Sequence, residues 1–167
     1  MIRNPLEVAR SEVNREILIN RWKLPFRHYR GRDKRKYFRW ALTGREPIFG
    51  SFDPESLTLF KRYLIQWIEI ENRAMEFIDR FNMKASCMTL HAPKELNDPQ
   101  LIIKLFHFFN LEPSSAKMVL PRFQNRTPGN PTIIGEEERR GCQEIIKKIP
   151  ESYLKIFQND PYADCEW

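Results

Sequence analysis

Three times the chain sets an Asn or Asp before a Pro at the head of an apolar-periodic stretch: Asn4-Pro5, Asp53-Pro54 and Asp98-Pro99. The short polar side chain can accept from the first free amides of a helix, and Pro fits the first helical position. The first pair predicts a helix from Pro5 to about Asn20, carrying Val8, Val13 and Ile17, with Glu7 in a capping-box position. The second opens the longest element, over 54–81, which Asn82 ends. There Leu57, Phe60, Leu64, Trp67, Ile68, Ala74, Phe77, Ile78 and Phe81 share one face with Glu71 as the polar exception. The third opens a helix to about Phe109, closed by Asn110 and Pro113. Residues 135–149 are acidic first and basic last, which suits the dipole of a fourth helix, and 151–157 reads as a short fifth.

Strand signals are few. Met1-Ile2-Arg3 reads as the end of a strand, and 86–91 (SCMTLH) as a short buried one with Cys87 in the core. Residues 21–52 hold Pro25, Gly31, Gly44, Pro47 and Gly50 and read as loop with a short helix over 33–42. Residues 112–135 read as loop, with a strand or turn near Met118. The expected fold is mainly α with one or two short strands, in a single domain over 1–167. So few strands imply that part of a sheet is supplied by sequence outside these residues.

Composition narrows the class. Hydrophobic residues at 41% and aromatics at 13% supply a core and exclude disordered and collagen-like chains. The run 101–109 is interrupted by Lys104 and His107, so no stretch approaches the ~20 apolar residues of a membrane span. The first residues lack the apolar core of a secretory signal. Cys87, Cys142 and Cys165 are widely spaced and form neither a CxxC nor a zinc pattern, so the expected setting is cytoplasmic and reducing, with no metal. His28, His91 and His107 have no partner at metal-ligand spacing, and Asp33, Glu46 and Asp53 are acids without a paired acid.

The net charge of +6 is concentrated. Residues 21–39 hold nine Lys or Arg and one Asp, which leaves 19 basic and 21 acidic residues elsewhere. Such a segment attracts anions, or it is a solvated loop pinned to the body by Trp22, Phe26, Tyr29, Tyr37, Phe38 and Trp40.

The candidate chemistry lies at the start. Arg3 stands at the tip of the first strand, and a helix begins one residue later with a positive dipole end and first-turn amides. Ser11, seven residues beyond Asn4, returns to the same helix face. A guanidinium fork and a hydroxyl can hold one phosphate between them. This arrangement, Arg-Asn-Pro followed by Ser eight residues after the Arg, resembles the 3′-phosphate-binding motif of sulfotransferases that use 3′-phosphoadenosine 5′-phosphosulfate (PAPS). The stretches 64–81 and 95–111, the latter with Glu95-Leu96, Asp98-Pro99 and Phe108-Phe109-Asn110-Leu111, are similar to later blocks of that family, in the same order.

The resemblance implies the C-terminal portion of an α/β, P-loop-like sulfotransferase fold. It also implies that Arg3 and Ser11 bind the donor's 3′-phosphate, with Arg122 and Arg126 standing by position where the family has a second clamp. The family's loop for the 5′-phosphosulfate and its catalytic base lie before the Arg-Asn-Pro motif, and the chain has no GxxxxGK, its first glycine being Gly31. The expected activity of the complete form is sulfonate transfer from PAPS to a hydroxyl or amine of a small-molecule or glycan acceptor, with a missing N-terminal half as partner and the base unidentified. Two other readings compete. One is a nucleic-acid-binding module, with Trp22, Tyr29 and Tyr37 stacking on bases; it is disfavoured because no RNA- or DNA-binding signature is present. The other is a non-catalytic remnant that binds a partner.

Overall fold

The computed structural model describes residues 1–23, 28–30, 34, 36–38, 40–53, 55–92, 94–112 and 133–163. Their order is α1 (Pro5–Trp22), β1 (His28–Arg30), β2 (Lys36–Phe38), α2 (Leu59–Arg80), α3 (Pro99–Phe108), α4 (Glu136–Lys148) and α5 (Glu151–Leu154), with short 3-10 turns between. The architecture is mainly helical with one two-stranded antiparallel sheet. No helix among the described residues is long and apolar enough to cross a membrane.

The helix ends follow local chemistry. Asn4 Oδ1 accepts from Leu6 N at 3.0 Å and Glu7 N at 3.2 Å and starts α1. Asp98 Oδ1 accepts from Gln100 N at 2.8 Å and starts α3. Asn82 and Asn110 stop α2 and α3 in the left-handed conformation at φ 51° and 54°. Beyond each, an amide reaches back to the helix, Met83 N to Ile78 O and Leu111 N to Phe106 O. Replacing the α1 cap, Asn4→Ala, should cost about 1 kcal/mol. That corresponds to a melting temperature lower by roughly 2–4 °C, and an unchanged melt would show that tertiary packing alone holds the turn.

Two boundaries differ from the sequence reading. α2 begins after Thr58, whose hydroxyl accepts from Lys61 N, and not at Asp53-Pro54. Asp53 instead closes its own turn, accepting from Glu55 N on its side chain and from Ser56 N and Oγ on its carbonyl. The described residues of 33–42 contain no helix. β1 and β2 pair there with His28 opposite Phe38, Tyr29 opposite Tyr37 and Arg30 opposite Lys36.

α2 is the axis of the core. Its first half buries Phe60, Leu64, Ile65, Trp67 and Ile68 against Leu6, Ala9 and Val13 of α1 and against Cys142 and Ile145 of α4. Gly141 permits the close passage of α4, because a Cβ there would come within 3.3 Å of Lys61 Cε. Glu138 ties α4 to α1: it accepts from Gly135 N at 3.0 Å and pairs with Arg10 at 3.3 Å. The C-terminal segment folds back over α2, where Phe157 stacks on Trp67 and Tyr162 meets it edge-on.

Tyr162 donates its hydroxyl to the half-buried Glu71, the polar exception on the α2 face. Burial raises the Glu71 carboxyl above its ordinary value, although the bond from Tyr162 pulls the other way. A raised carboxyl favours its protonated form in the fold, so the ionised group costs stability as pH climbs through the raised value. Glu71→Gln keeps an acceptor for Tyr162 and cannot ionise. It should melt at or above the wild type at pH 7, and the gap should close at pH 4. Thermal melts at both values check this, and a variant clearly less stable at pH 7 would refute it.

Burial on α2 ends at Glu69. Phe77 and Phe81, expected on the core face, are 54% and 57% exposed and lie against each other. α3, apolar as it is, buries no residue. The segment 86–91 is not a strand. It holds the 3-10 end at Ser86, an exposed Cys87 and a single parallel bridge from His91 to Ile2, with Leu90 its only buried side chain. Cys87 is therefore not a core residue: with one bridge and no neighbouring strand among the described residues, it stays exposed. The turn or strand read near Met118 lies outside the described residues.

Candidate functional site

Ile2 is clamped on both sides of its peptide: its N–H donates to Leu90 O and its carbonyl accepts from Ala92 N, both at 2.8 Å. Residues 1–3, expected as the end of a strand, form none: this single parallel bridge alone holds the chain extended until Asn4 turns it into α1. Arg3 is thereby delivered to the surface at the helix start. It is exposed and makes no hydrogen bond or ion pair to a described residue. Ser11 is half-buried, and its hydroxyl likewise has no described partner. It lies seven residues past Asn4, about 10 Å along the axis and within about 20° of the same bearing.

The amides of the first turn are not free, contrary to the sequence reading. Pro5 has none, Leu6 and Glu7 donate to the Asn4 side chain, and Val8 donates to Asn4 O at 3.0 Å. A phosphate at this end can therefore be held by the Arg3 and Ser11 side chains and the helix dipole, not by a cradle of first-turn amides. The neighbouring cations are engaged, Arg10 with Glu138 and Arg15 with Glu12. Arg3 is thus the unengaged guanidinium among Arg3, Arg10 and Arg15. Arg122 and Arg126 lie outside the described residues.

The other chemical candidates resolve into structural roles. Glu46 accepts from Thr43 N, Thr43 Oγ1 and Gly44 N at 2.8–3.1 Å. Burial opposes its ionisation, but these bonds outweigh it and hold the carboxyl below the usual range. It is the fastener of a turn. His91 carries the bridge to Ile2, and its backbone N–H donates to Glu95 Oε2. His107 is exposed on α3. Cys142 is buried, which pushes its thiol up to about 11 and makes it a poor nucleophile. Asp33 and Cys165 are outside the described residues.

One cavity was not legible in the sequence. About 330 Å³ lie between the end of α1, the β1–β2 hairpin and the first half of α2. Glu16, Lys36, Arg62 and Tyr63 face it. Its signal was present in the basic hairpin, but the opposing wall comes from α2, some 25 residues later.

Comparison of the chain with protein families, with curated proteins and with solved structures finds no match.

Proposed function

We propose that this chain is a sulfotransferase-type domain that binds the 3′-phosphate of PAPS between Arg3 and Ser11. The observation that carries the reading is the turn itself. A parallel-paired residue, an exposed and unengaged Arg3, an Asn-capped and Pro-started α1, and a free hydroxyl two turns down follow one another in the order of the motif. Arg3 supplies a bidentate fork, and Ser11 supplies one further donor. The dipole of an 18-residue helix adds a favourable field for the dianion.

Sulfonate transfer would break the bond from sulfur to the 5′-phosphate oxygen and form one from sulfur to the acceptor oxygen or nitrogen. The acceptor's proton would pass to a base, and 3′-phosphoadenosine 5′-phosphate would leave. On this reading the chain contributes binding and orientation of the donor's adenosine end. The groups for the 5′-phosphosulfate and for the proton are those the resemblance places ahead of Arg3. The acceptor class is a small molecule or glycan.

The nucleic-acid reading loses ground on the aromatic side chains it needs. Tyr37 and Phe38 are buried, Tyr29 donates its hydroxyl to Ala41 O, and Trp40 is covered by Arg15 on one face and stacked on Phe38. Of the rings invoked for stacking on bases, Trp22 is the exposed one.

The test is a thermal melt with 3′-phosphoadenosine 5′-phosphate against adenosine 5′-phosphate. A ligand at a hundredfold over Kd stabilises by ~2.7 kcal/mol. For a chain of this size that is a rise of roughly 5–10 °C. The first compound should give it and the second, lacking the 3′-phosphate, should not. No shift with either, or equal shifts, would overturn the reading.

A further inference from the structure

The cavity under the basic hairpin has a composition that points to a ligand of its own. One wall is apolar and aromatic, formed by Phe38, Leu42 and Phe49. The lining also brings Lys36 from β2 and Arg62 from α2 to the same space. Neither cation forms an ion pair with a described residue. Arg62 stands 5.9 Å from the ring of Tyr37, a contact that fixes the guanidinium while leaving its N–H groups available. The acid in the lining, Glu16, already accepts from the Tyr63 hydroxyl at 2.6 Å. Gln66 is also spoken for, accepting from Leu42 N at 2.9 Å and donating to Trp40 O at 3.0 Å. Lys36 and Arg62 are thus the cations of the lining, beside the polar Asn20 and His28 and an aromatic surface.

We infer that this pocket is a second anion site, taking a small molecule with a flat ring and one acidic group. The ring would fill the space lined by Phe38, Leu42, Phe49 and Leu59, touching the edges of the two buried rings, and the acidic group would meet Arg62 and Lys36. Two cations and one carboxylate leave a net charge that one anionic group neutralises. The volume of about 330 Å³ sits at the lower end of the ~300–1,000 Å³ of small-molecule sites, which suits one or two rings. Glu16 is five residues beyond Ser11, about 7.5 Å along α1 and about 140° around it, so the pocket lies off a different side of the helix. The inference uses neither Arg3 nor Ser11 and stands apart from the proposed PAPS site.

Isothermal titration of the full chain with 2-naphthoate, 2-naphthol and cyclohexanecarboxylate tests it. Naphthoate should bind. The neutral naphthol and the puckered carboxylate should each bind at least about tenfold more weakly. Arg62→Gln should weaken naphthoate by roughly tenfold, the scale of one hydrogen bond to a charged group. Lys36 is exposed. Lys36→Gln therefore leaves the fold intact and should weaken binding several-fold even where Arg62→Gln impairs folding. Arg3→Ala should leave naphthoate binding unchanged, whatever it does to 3′-phosphoadenosine 5′-phosphate. No heat up to millimolar naphthoate, equal affinity for naphthol, or loss of naphthoate binding in Arg3→Ala with none in Lys36→Gln would overturn the inference.

Discussion

Trp67→Ala should lower the melting temperature by roughly 10 °C, the consequence of ~3–5 kcal/mol lost when a large buried ring is removed. The residue is 6% exposed and sits where three parts of the chain converge. Its ring stacks on Phe157 at 5.3 Å and meets the edge of Tyr162 at 6.3 Å, and those two rings contact each other at 5.3 Å. Around it lie Leu64, Ile65 and Ile68, all fully buried. Truncation therefore opens a cavity and also releases the C-terminal segment from α2. Limited proteolysis should show earlier cleavage after 150 in the variant. Trp67→Phe keeps a ring against Phe157 and should recover more than half of the loss. A fall of only a degree or two for the alanine variant would mean that the 157–162 segment does not complete the core.

On the proposed PAPS-site reading, Arg3→Ala should weaken 3′-phosphoadenosine 5′-phosphate about a hundredfold while leaving the melting temperature of the free protein unchanged. The first half follows from losing a bidentate, doubly charged hydrogen-bond pair, worth about 3 kcal/mol where it is made. The second half follows from the exposure of Arg3 and the absence of any described partner. That separation makes the variant informative, because binding and folding do not fall together. Arg3→Lys keeps the charge but not the fork and should sit between. Ser11→Ala should cost about tenfold. The double variant should lose less than the sum, since both side chains address one phosphate. Binding unchanged in Arg3→Ala, in a protein that does bind the nucleotide, would move the phosphate elsewhere.

How far the sequence could be read follows from how local each determinant is. The starts of α1 and α3 and the ends of α2 and α3 depend on a cap and its next few residues, so Asn4, Asp98, Asn82 and Asn110 announced them. The same locality misled at Asp53, whose Asx turn looks like a cap until Thr58 supplies the real one. The hairpin was illegible because strands of three residues, crowded with cations, show no alternation to read. The Arg3–Ser11 arrangement was legible because it spans nine consecutive residues. The occupation of the first-turn amides by Asn4 was foreshadowed by the same cap and only the hydrogen bonds made it plain.

By itself the sequence determined the caps of α1 and α3, the ends of α2 and α3 and the place where charge gathers, because helix periodicity, capping and composition act within a few residues. Tertiary structure decided which apolar faces are covered. It buried Leu64 and Ile68 and left Phe77, Phe81 and Cys87 exposed, since burial depends on whether another element arrives and not on the side chain's own preference. It also brought Lys36 and Arg62 to one pocket, residues that no local pattern relates, because a cavity is a property of the gap between elements and is written in none of them singly.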